Sequence, residues 1–334
     1  MRTIAIIGGG SWGTALVLAL TRSRTRHKLR LWVRERDLAT RMRKSRENDL
    51  FLPGFELPKG VLVTDDLHEA ARGADIVISV VPSQFLRRVW RDLRAFLGRD
   101  TLVLSATKGL ELETLARPSE VILQVAGESI ASRLAAISGP SFAREVAAGL
   151  PTATVIASSN EALARDLQGE LAGPKLRLYT NPDIIGVEIG GAVKNVIAIA
   201  AGVSDGLELG NNARAALITR GLAEITRLAV ACGGQRETMA GLAGLGDLVL
   251  TCTGALSRNR TVGLELGRGK KLKKILAGKH MVAEGVETTR ATRALGRKLG
   301  VELPITEQMY RMLFDGLDPR AAVRELMERT LRQE

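Results

Sequence analysis

A chain of 334 residues, 45% of them hydrophobic and 25% charged, can bury a core in each of two domains, which excludes a disordered protein. Its 48 basic against 36 acidic residues leave a formal charge of +12, but with only 3% aromatics the stacking surfaces of a single-strand nucleic-acid binder are scarce. The basic residues are spread along the chain, apart from a solvated-looking run at Lys270-Lys271-Leu272-Lys273-Lys274, so the charge favours anionic small ligands and little more.

The first element is an apolar strand, Thr3–Ile7, which runs straight into Gly8-Gly9-Gly10-Ser11-Trp12-Gly13 and then a helix over Thr14–Leu20. No basic n-region precedes it, so it is not read as a signal peptide. The spacing G-x-G-x-x-G, between a strand and a helix, predicts a dinucleotide-binding turn. Gly8 permits the tight turn, Gly10 lets backbone N–H groups approach a pyrophosphate, and Gly13 lets helix and strand pack closely. The helix N-terminus adds donors and a positive dipole end for the anion.

A second strand, Leu29–Val33, ends in Arg34-Glu35-Arg36, where a carboxylate for the ribose 2′-hydroxyl of NAD would be expected first. Arg34 favours the 2′-phosphate of NADP, or tolerance of both cofactors, while Glu35 keeps NAD open. Further strands are expected at Asp75–Val81, Thr101–Ser105, Leu134–Ser138, Thr152–Ala157 and Leu176–Thr180. Several are continuous apolar runs, as buried parallel strands are, and their alternation with helices predicts a doubly wound α/β sheet. Ligands in such sheets bind beyond the carboxyl ends of the strands, which singles out Arg34, Pro82-Ser83-Gln84, Lys108 and Ser138-Gly139-Pro140-Ser141. Lys108 could set an ammonium beside a carbonyl or phosphate.

After Thr180 the pattern changes. Asn181-Pro182-Asp183 reads as a helix start, with Asn as cap, and Asp318-Pro319 opens the last helix in the same way. Between them lie helices joined by glycine turns, with no convincing strand. The expected organisation is a Rossmann-type sheet domain over residues 1–182, followed by an all-helical domain over 183–334. The longest apolar stretch, Ile184 to Val203, is broken by Glu188, Lys194 and Asn195, so stable membrane insertion is not expected.

Lys194 stands out on this stretch. Its helical neighbours are Gly190, Gly191, Ile197 and Ala198, with no carboxylate at those spacings. Such a lysine either snorkels outward or is buried; if buried, desolvation lowers its pKa into the range of a proton donor and acceptor near neutral pH. The glycine pair leaves room for a ligand or another backbone. Cys232 and Cys252 have no metal or redox spacing and fit a reducing cytoplasm, and His27, His68 and His280 are too scattered for a metal site. Asp247, in Gly244-Leu245-Gly246-Asp247-Leu248, could pair with a lysine and orient it. Ser257-Arg258-Asn259-Arg260 offers hydroxyl, guanidinium and amide donors suited to a phosphate, although alone it reads as well as a helix start.

These motifs together resemble bacterial NAD(P)-dependent glycerol-3-phosphate dehydrogenase. The resemblance runs through Gly8–Gly13, Phe51-Leu52-Pro53-Gly54, Thr107-Lys108-Gly109, Ser138–Ala143 with Glu145-Val146-Ala147, and Gly190–Asn195. It continues with Asn212–Ala216, Gly241–Asp247, Ser257–Arg260 and Val282–Gly285, in family order across nearly the whole chain. It implies a hydride transfer between NAD(P)H and dihydroxyacetone phosphate, giving sn-glycerol 3-phosphate for lipid synthesis, by a cytoplasmic homodimer that needs no metal. It also implies roles by position. Lys194 is the proton donor in reduction and the acceptor in oxidation. Lys108 contacts cofactor and substrate, and Gly139, Ser141, Asp247, Ser257, Arg258 and Asn259 bind the substrate, with Arg258 also near the cofactor. Gly8, Gly10, Ser11, Trp12, Gly13, Arg34, Ala143, Val282 and Glu284 line the cofactor. Arg144, Asn211 and Ala240 depart from the family pattern, none at a named contact. Rival readings are a 3-hydroxyacid or 6-phosphogluconate-type dehydrogenase, which should read a carboxylate in place of the phosphate, a dinucleotide sensor without catalysis, and a nucleic-acid binder.

Overall fold

The run Thr3–Ile7 forms β1, whose alternate side chains supply two cores: Ile4 and Ile6 pack on one face with Val17 and Leu38, Ala5 and Ile7 on the other with Leu86 and Trp90. A strand buried on both faces must be apolar throughout, which is why the run does not alternate. Each fully buried aliphatic side chain here contributes about 1.5–3 kcal/mol. The computed structural model describes residues 1–277 and 284–330. Two units are distinct, Met1–Lys108 with Ala116–Glu188, and Gly109–Leu115 with Ile189–Glu334.

The first unit is built on β1, β2 (Lys28–Trp32), β3 (Glu47–Asn48), β4 (Leu52–Glu56), β5 (Leu62–Thr64), β6 (Ile76–Ser79), β7 (Leu102–Ser105), β8 (Leu134–Ser138), β9 (Thr152–Ala157) and β10 (Leu176–Asn181). Eight of them form one sheet in the order β10-β9-β8-β7-β6-β1-β2-β5, and β3 pairs with β4 alone. The chain leaves β1 toward β2 on one side and returns to β6 on the other, which makes the end of β1 the switch point of a Rossmann-like sheet.

The expected strands are present, with no end shifted by more than two residues. The doubly wound sheet is present as expected, and one of its pairs, β8 with β9, is antiparallel. Burial on both faces makes a run apolar whichever way it points, so periodicity does not report direction. β3, β4 and β5 were not expected: β3 is two residues long, and Pro53-Gly54 inside β4 reads as a turn.

Among its described residues the second unit carries helices and no strand, and its Gly109–Leu115 segment is a turn. The helix Ile184–Gly206, which belongs to this unit from Ile189 on, starts after Asp183, whose Oδ1 accepts from Gly186 N at 2.8 Å. The cap is therefore Asp183 and not Asn181, which instead accepts from Asp183 N at 2.7 Å. This helix is long and apolar enough to cross a membrane, contrary to the expectation that its polar residues break the run, but 89% of its most apolar stretch is buried inside the protein. Asp318 caps the last helix, Pro319–Met327, through Arg320 N and Ala321 N as expected.

Candidate functional site

The glycine turn is built as its spacing requires. Gly8 has φ +131, and a Cβ there would stand 2.7 Å from the Val80 carbonyl oxygen. A Cβ on Gly13 would fall 1.9 Å from the Gly8 carbonyl oxygen, so only glycine lets the helix Ser11–Leu20 start so close to β1. At Gly10 a Cβ would meet nothing within 4 Å, so backbone is exposed to a ligand there. Its N-cap, Gly10, has no side chain to cap the helix and no acidic residue stands in its first turn, so its dipole end favours an anion. The Trp12 indole N–H is buried without an acceptor among the described residues. These features fit a pyrophosphate-bearing cofactor.

One residue of the turn's support was not singled out in the sequence. Asn48, fully buried, donates from Nδ2 to the Gly9 carbonyl at 2.8 Å and to Thr14 Oγ1 at 2.7 Å. Nothing local marks these two bonds, since Gly9 and Thr14 lie 39 and 34 residues away. Arg34 is exposed after β2, donates to Glu35 Oε1 from Nε at 3.1 Å and NH2 at 2.6 Å, and lies 5.5 Å over the Phe85 ring. β2 and β6 flank β1, so this stack joins the loops on either side of the glycine turn.

Lys108, Gly139 and Ser141 come together beyond β7 and β8. Lys108 Nζ donates to the Gly139 carbonyl at 3.3 Å, and Ser141 Oγ donates to the same oxygen at 2.9 Å. Gly139 has φ +136, and a Cβ would stand 3.0 Å from the Thr154 Cα. Ala143 opens the helix Ala143–Ala148 and packs with Trp12 against the core around Ile4 and Ile6. Deep in the same unit, Arg117 NH1 reaches Glu188 Oε2 at 2.7 Å, and Ser119 donates to Glu188 through N at 2.8 Å and Oγ at 2.6 Å. Burial pushes the Glu188 carboxyl up, against the Arg117 charge that pulls it down.

In the helical unit, Lys194 is buried at 6% exposure, which removes the snorkelling alternative. It donates to Asp247 Oδ1 and, at 3.0 Å, to Thr251 Oγ1, while the Thr251 hydroxyl donates to the Asp247 backbone carbonyl at 2.6 Å. Asp247 is 1% exposed, so the ion pair is shielded from water and strong. The glycine beside Lys194 explains how Asp247 arrives. A Cβ on Gly190 would stand 2.8 Å from the Ala243 carbonyl oxygen, so glycine lets the π-helical turn Leu242–Gly246 press on the lysine's helix and deliver the residue that follows. Cys252 lies in the next turn, where burial pushes its thiol up to about 12 and makes it unreactive at neutral pH.

Ser257 caps the helix Arg258–Gly267, accepting from Arg260 N at 3.2 Å. Arg258, the first residue of that helix, is exposed and has no hydrogen-bond or ion-pair partner among the described residues. Asn259 is buried, and its Oδ1 accepts from Gly285 N at 3.0 Å, at the start of the helix Glu284–Lys298. A Cβ on Gly285 would lie 2.7 Å from Asn259 Oδ1 and 2.9 Å from the Asn195 carbonyl oxygen, so Asn259 sits close to the residue that follows Lys194. Glu284 opens its helix, and Val282 lies outside the described residues. Ser11, Gly10 and Trp12 lie together at the glycine turn.

The comparisons with known proteins cover the same ground. The family described as NAD-dependent glycerol-3-phosphate dehydrogenase N-terminus matches residues 3–164, and its C-terminal counterpart matches residues 183–324. A glycerol-3-phosphate dehydrogenase [NAD(P)+] of Koribacter versatilis is 57% identical over 330 residues, 98% of each chain. That of Geobacter sp. strain M21 is 54% identical, over 99% of this chain and 98% of its own. The crystal structure of the Coxiella burnetii glycerol-3-phosphate dehydrogenase superposes with TM-score 0.92 at 44% identity, covering 98% of this chain and 99% of that one.

Proposed function

The chain belongs to the NAD-dependent glycerol-3-phosphate dehydrogenase family, and from that premise we propose which of its residues carry the reaction. The enzyme moves a hydride between NAD(P)H and dihydroxyacetone phosphate, giving sn-glycerol 3-phosphate. When bound, the nicotinamide supplies the hydride in reduction and takes it in oxidation. Gly8, Gly10, Ser11, Trp12 and Gly13 receive the pyrophosphate, with Arg34, Ala143, Val282 and Glu284 as further cofactor contacts.

Lys194 acts as the acid. As the substrate carbonyl is reduced, negative charge grows on its oxygen, and a positioned ammonium stabilises that charge more than it stabilises the ground state. Lys194 then gives its proton to the oxygen; in oxidation it takes the hydroxyl proton. Asp247 holds the ammonium in place and balances its charge, and Thr251 orients it. Arg258, Asn259 and Ser257 grip the phosphate, whose binding energy orients the reacting carbon. Lys108, Gly139 and Ser141 complete the substrate contacts, and Lys108 and Arg258 also touch the cofactor. The observation that carries this reading is the buried Lys194–Asp247 pair, with Arg258 exposed at a helix start and without an ion-pair partner among the described residues.

We also place the enzyme in the cytoplasm, supplying glycerol phosphate for lipid synthesis as a homodimer paired through the helical unit. Support for the dimer comes from an apolar cleft of about 640 Å³ in that unit, with exposed Leu209 and Met327 on its lining. Free Cys232 and Cys252 suit a reducing compartment. The test is oxidation of NADPH and of NADH by the purified protein in the presence of dihydroxyacetone phosphate, with mass in solution read by light scattering. Turnover, and a mass of two chains, are expected. Absence of turnover with either cofactor, from folded protein that binds cofactor, overturns the assignment.

A further inference from the structure

Two helices of the second unit touch backbone to backbone, and each carries one end of the proposed substrate site. Ile184–Gly206 bears Lys194, and Arg258–Gly267 bears Arg258 and Asn259. The contact is made by two glycines on each helix, four residues apart. A Cβ on Gly202 would stand 2.0 Å from the Arg260 carbonyl oxygen, and one on Gly206 would stand 2.4 Å from that of Leu264. In the other direction, a Cβ on Gly263 would stand 1.9 Å from the Ile199 carbonyl oxygen and one on Gly267 would stand 2.5 Å from that of Val203. No side chain fits in this seam, so the helices are held at the closest approach that backbones allow.

A seam of glycines fixes distance but holds poorly against sliding, because it has no side chains to interlock. Asp205 supplies the lock. It stands on the long helix between Gly202 and Gly206, and its Oδ2 accepts from Arg260 Nε at 2.7 Å and NH2 at 2.6 Å. Its Oδ1 accepts from Arg214 NH1 at 3.1 Å, which ties in the helix Gly210–Ala231. Arg260 in turn belongs to the first turn that displays Arg258 and Asn259, and its own N–H is the one that Ser257 caps. The pair is about four-fifths shielded from solvent, with side-chain exposures of 22% for Arg260 and 14% for Asp205, so it is stronger than a surface ion pair.

We propose that Asp205 is a positioning residue for phosphate recognition: through Arg260 and Arg214 it fixes the register of Arg258 and Asn259 against Lys194. The proposal rests on Arg258 and Asn259 being the phosphate grip, as argued above. Asp205 itself touches neither the lysine nor Arg258 in this arrangement; it acts through its partners.

The test compares Asp205→Asn, Asp205→Glu and Arg258→Ala by steady-state kinetics, with inorganic phosphate as a competitor of dihydroxyacetone phosphate. For Asp205→Asn, KM for dihydroxyacetone phosphate and the inhibition constant of phosphate both rise about tenfold, the size of one lost charge-assisted hydrogen bond. KM for NADPH stays within twofold, and Asp205→Glu recovers most of the loss. Should Asp205→Asn lower only the melting temperature or kcat, with both phosphate-dependent constants unmoved, Asp205 is structural and the proposal falls. Should Arg258→Ala also leave both constants unmoved, the phosphate-grip reading itself falls. If Asp205→Asn does not fold, Arg214→Gln, which removes only the outer partner, must still raise both constants two- to threefold, about the effect of one partly exposed ion pair; unchanged constants in that variant overturn the proposal.

Discussion

Asn48 holds Gly9: a buried amide from a two-residue strand donates at 2.8 Å to the carbonyl in the middle of the glycine turn. The same nitrogen reaches Thr14 Oγ1 at 2.7 Å, so one side chain ties the turn to the helix that follows it. Its Oδ1 is also used, accepting from Phe51 N at 3.1 Å. Every polar atom of the amide is thus spent on keeping the loop in one shape. Asn48→Ala leaves these buried groups unpaired and should cost about 2 kcal/mol of stability. It should raise KM for NADPH and NADH together, because the pyrophosphate turn is common to both. A melting curve and parallel kinetics check this, and a change confined to one cofactor contradicts it.

Glu35 competes for the arginine that would read a 2′-phosphate. Arg34 gives Nε and NH2 to the Glu35 carboxylate and stacks on Phe85, so NADP must displace or share that guanidinium. The pair is exposed and worth little by itself. A phosphate offers stronger, doubly charged acceptors. Glu35→Gln should therefore shift the ratio of kcat/KM values toward NADPH by about three- to tenfold, mostly through KM, in line with removing one like charge near the phosphate. An unchanged ratio would show that Arg34 does not meet the 2′ position.

What was legible in the sequence was whatever depends on neighbours in the chain. Gly8 and Gly13 act at fixed offsets from a strand end, and Asp318 with Pro319 states a helix start within two residues. Lys194 was conspicuous because an apolar helix leaves a lysine nothing local to pair with. What could not be read depends on contacts made far along the chain. Asn48 reaches back 39 residues, and Arg117 meets Glu188 across 71. Thr251 orients a lysine 57 residues before it. Gly202, Gly206, Gly263 and Gly267 carry no signal of their own in a chain of 35 glycines, and only the packed helices reveal their seam. The direction of β9 was hidden for a different reason, since a doubly buried strand is apolar in either sense.

The Lys194–Asp247 pair predicts two separable defects. Lys194→Ala removes the proposed acid and should lower kcat by about 10²–10⁴, with cofactor binding by fluorescence retained. It also strands a carboxylate that is 1% exposed, so the variant should melt several degrees lower. Asp247→Asn keeps the lysine but frees it from its partner; kcat should fall less than in Lys194→Ala. Turnover in Lys194→Ala within tenfold of the unsubstituted enzyme would assign the proton to another group.

Glu224 makes stability depend on pH. It lies 2% exposed on the helix Gly210–Ala231, and its carboxylate accepts from Ile305 N, from Thr306 N at 3.2 Å and from Thr306 Oγ1 at 3.2 Å. These bonds cap the helix Pro304–Phe314 and favour the charged form, as does the Arg227 charge nearby. Burial outweighs them, and the carboxyl is pushed up from 4.5 to about 7. The folded protein therefore holds this proton more tightly than the unfolded chain does. Between pH 4.5 and 7 it binds more protons than the unfolded chain, so stability is greatest below that window and declines as pH rises through it. The full effect is on the order of 3 kcal/mol. Buried Glu188, also raised, adds a decline of the same sign, so the informative quantity is a difference. Urea unfolding midpoints of the unsubstituted enzyme should fall more steeply with pH across this window than those of Glu224→Gln, which cannot titrate. Parallel slopes for the two proteins would mean that Glu224 is ionised in the fold throughout, with its three donors outweighing its burial.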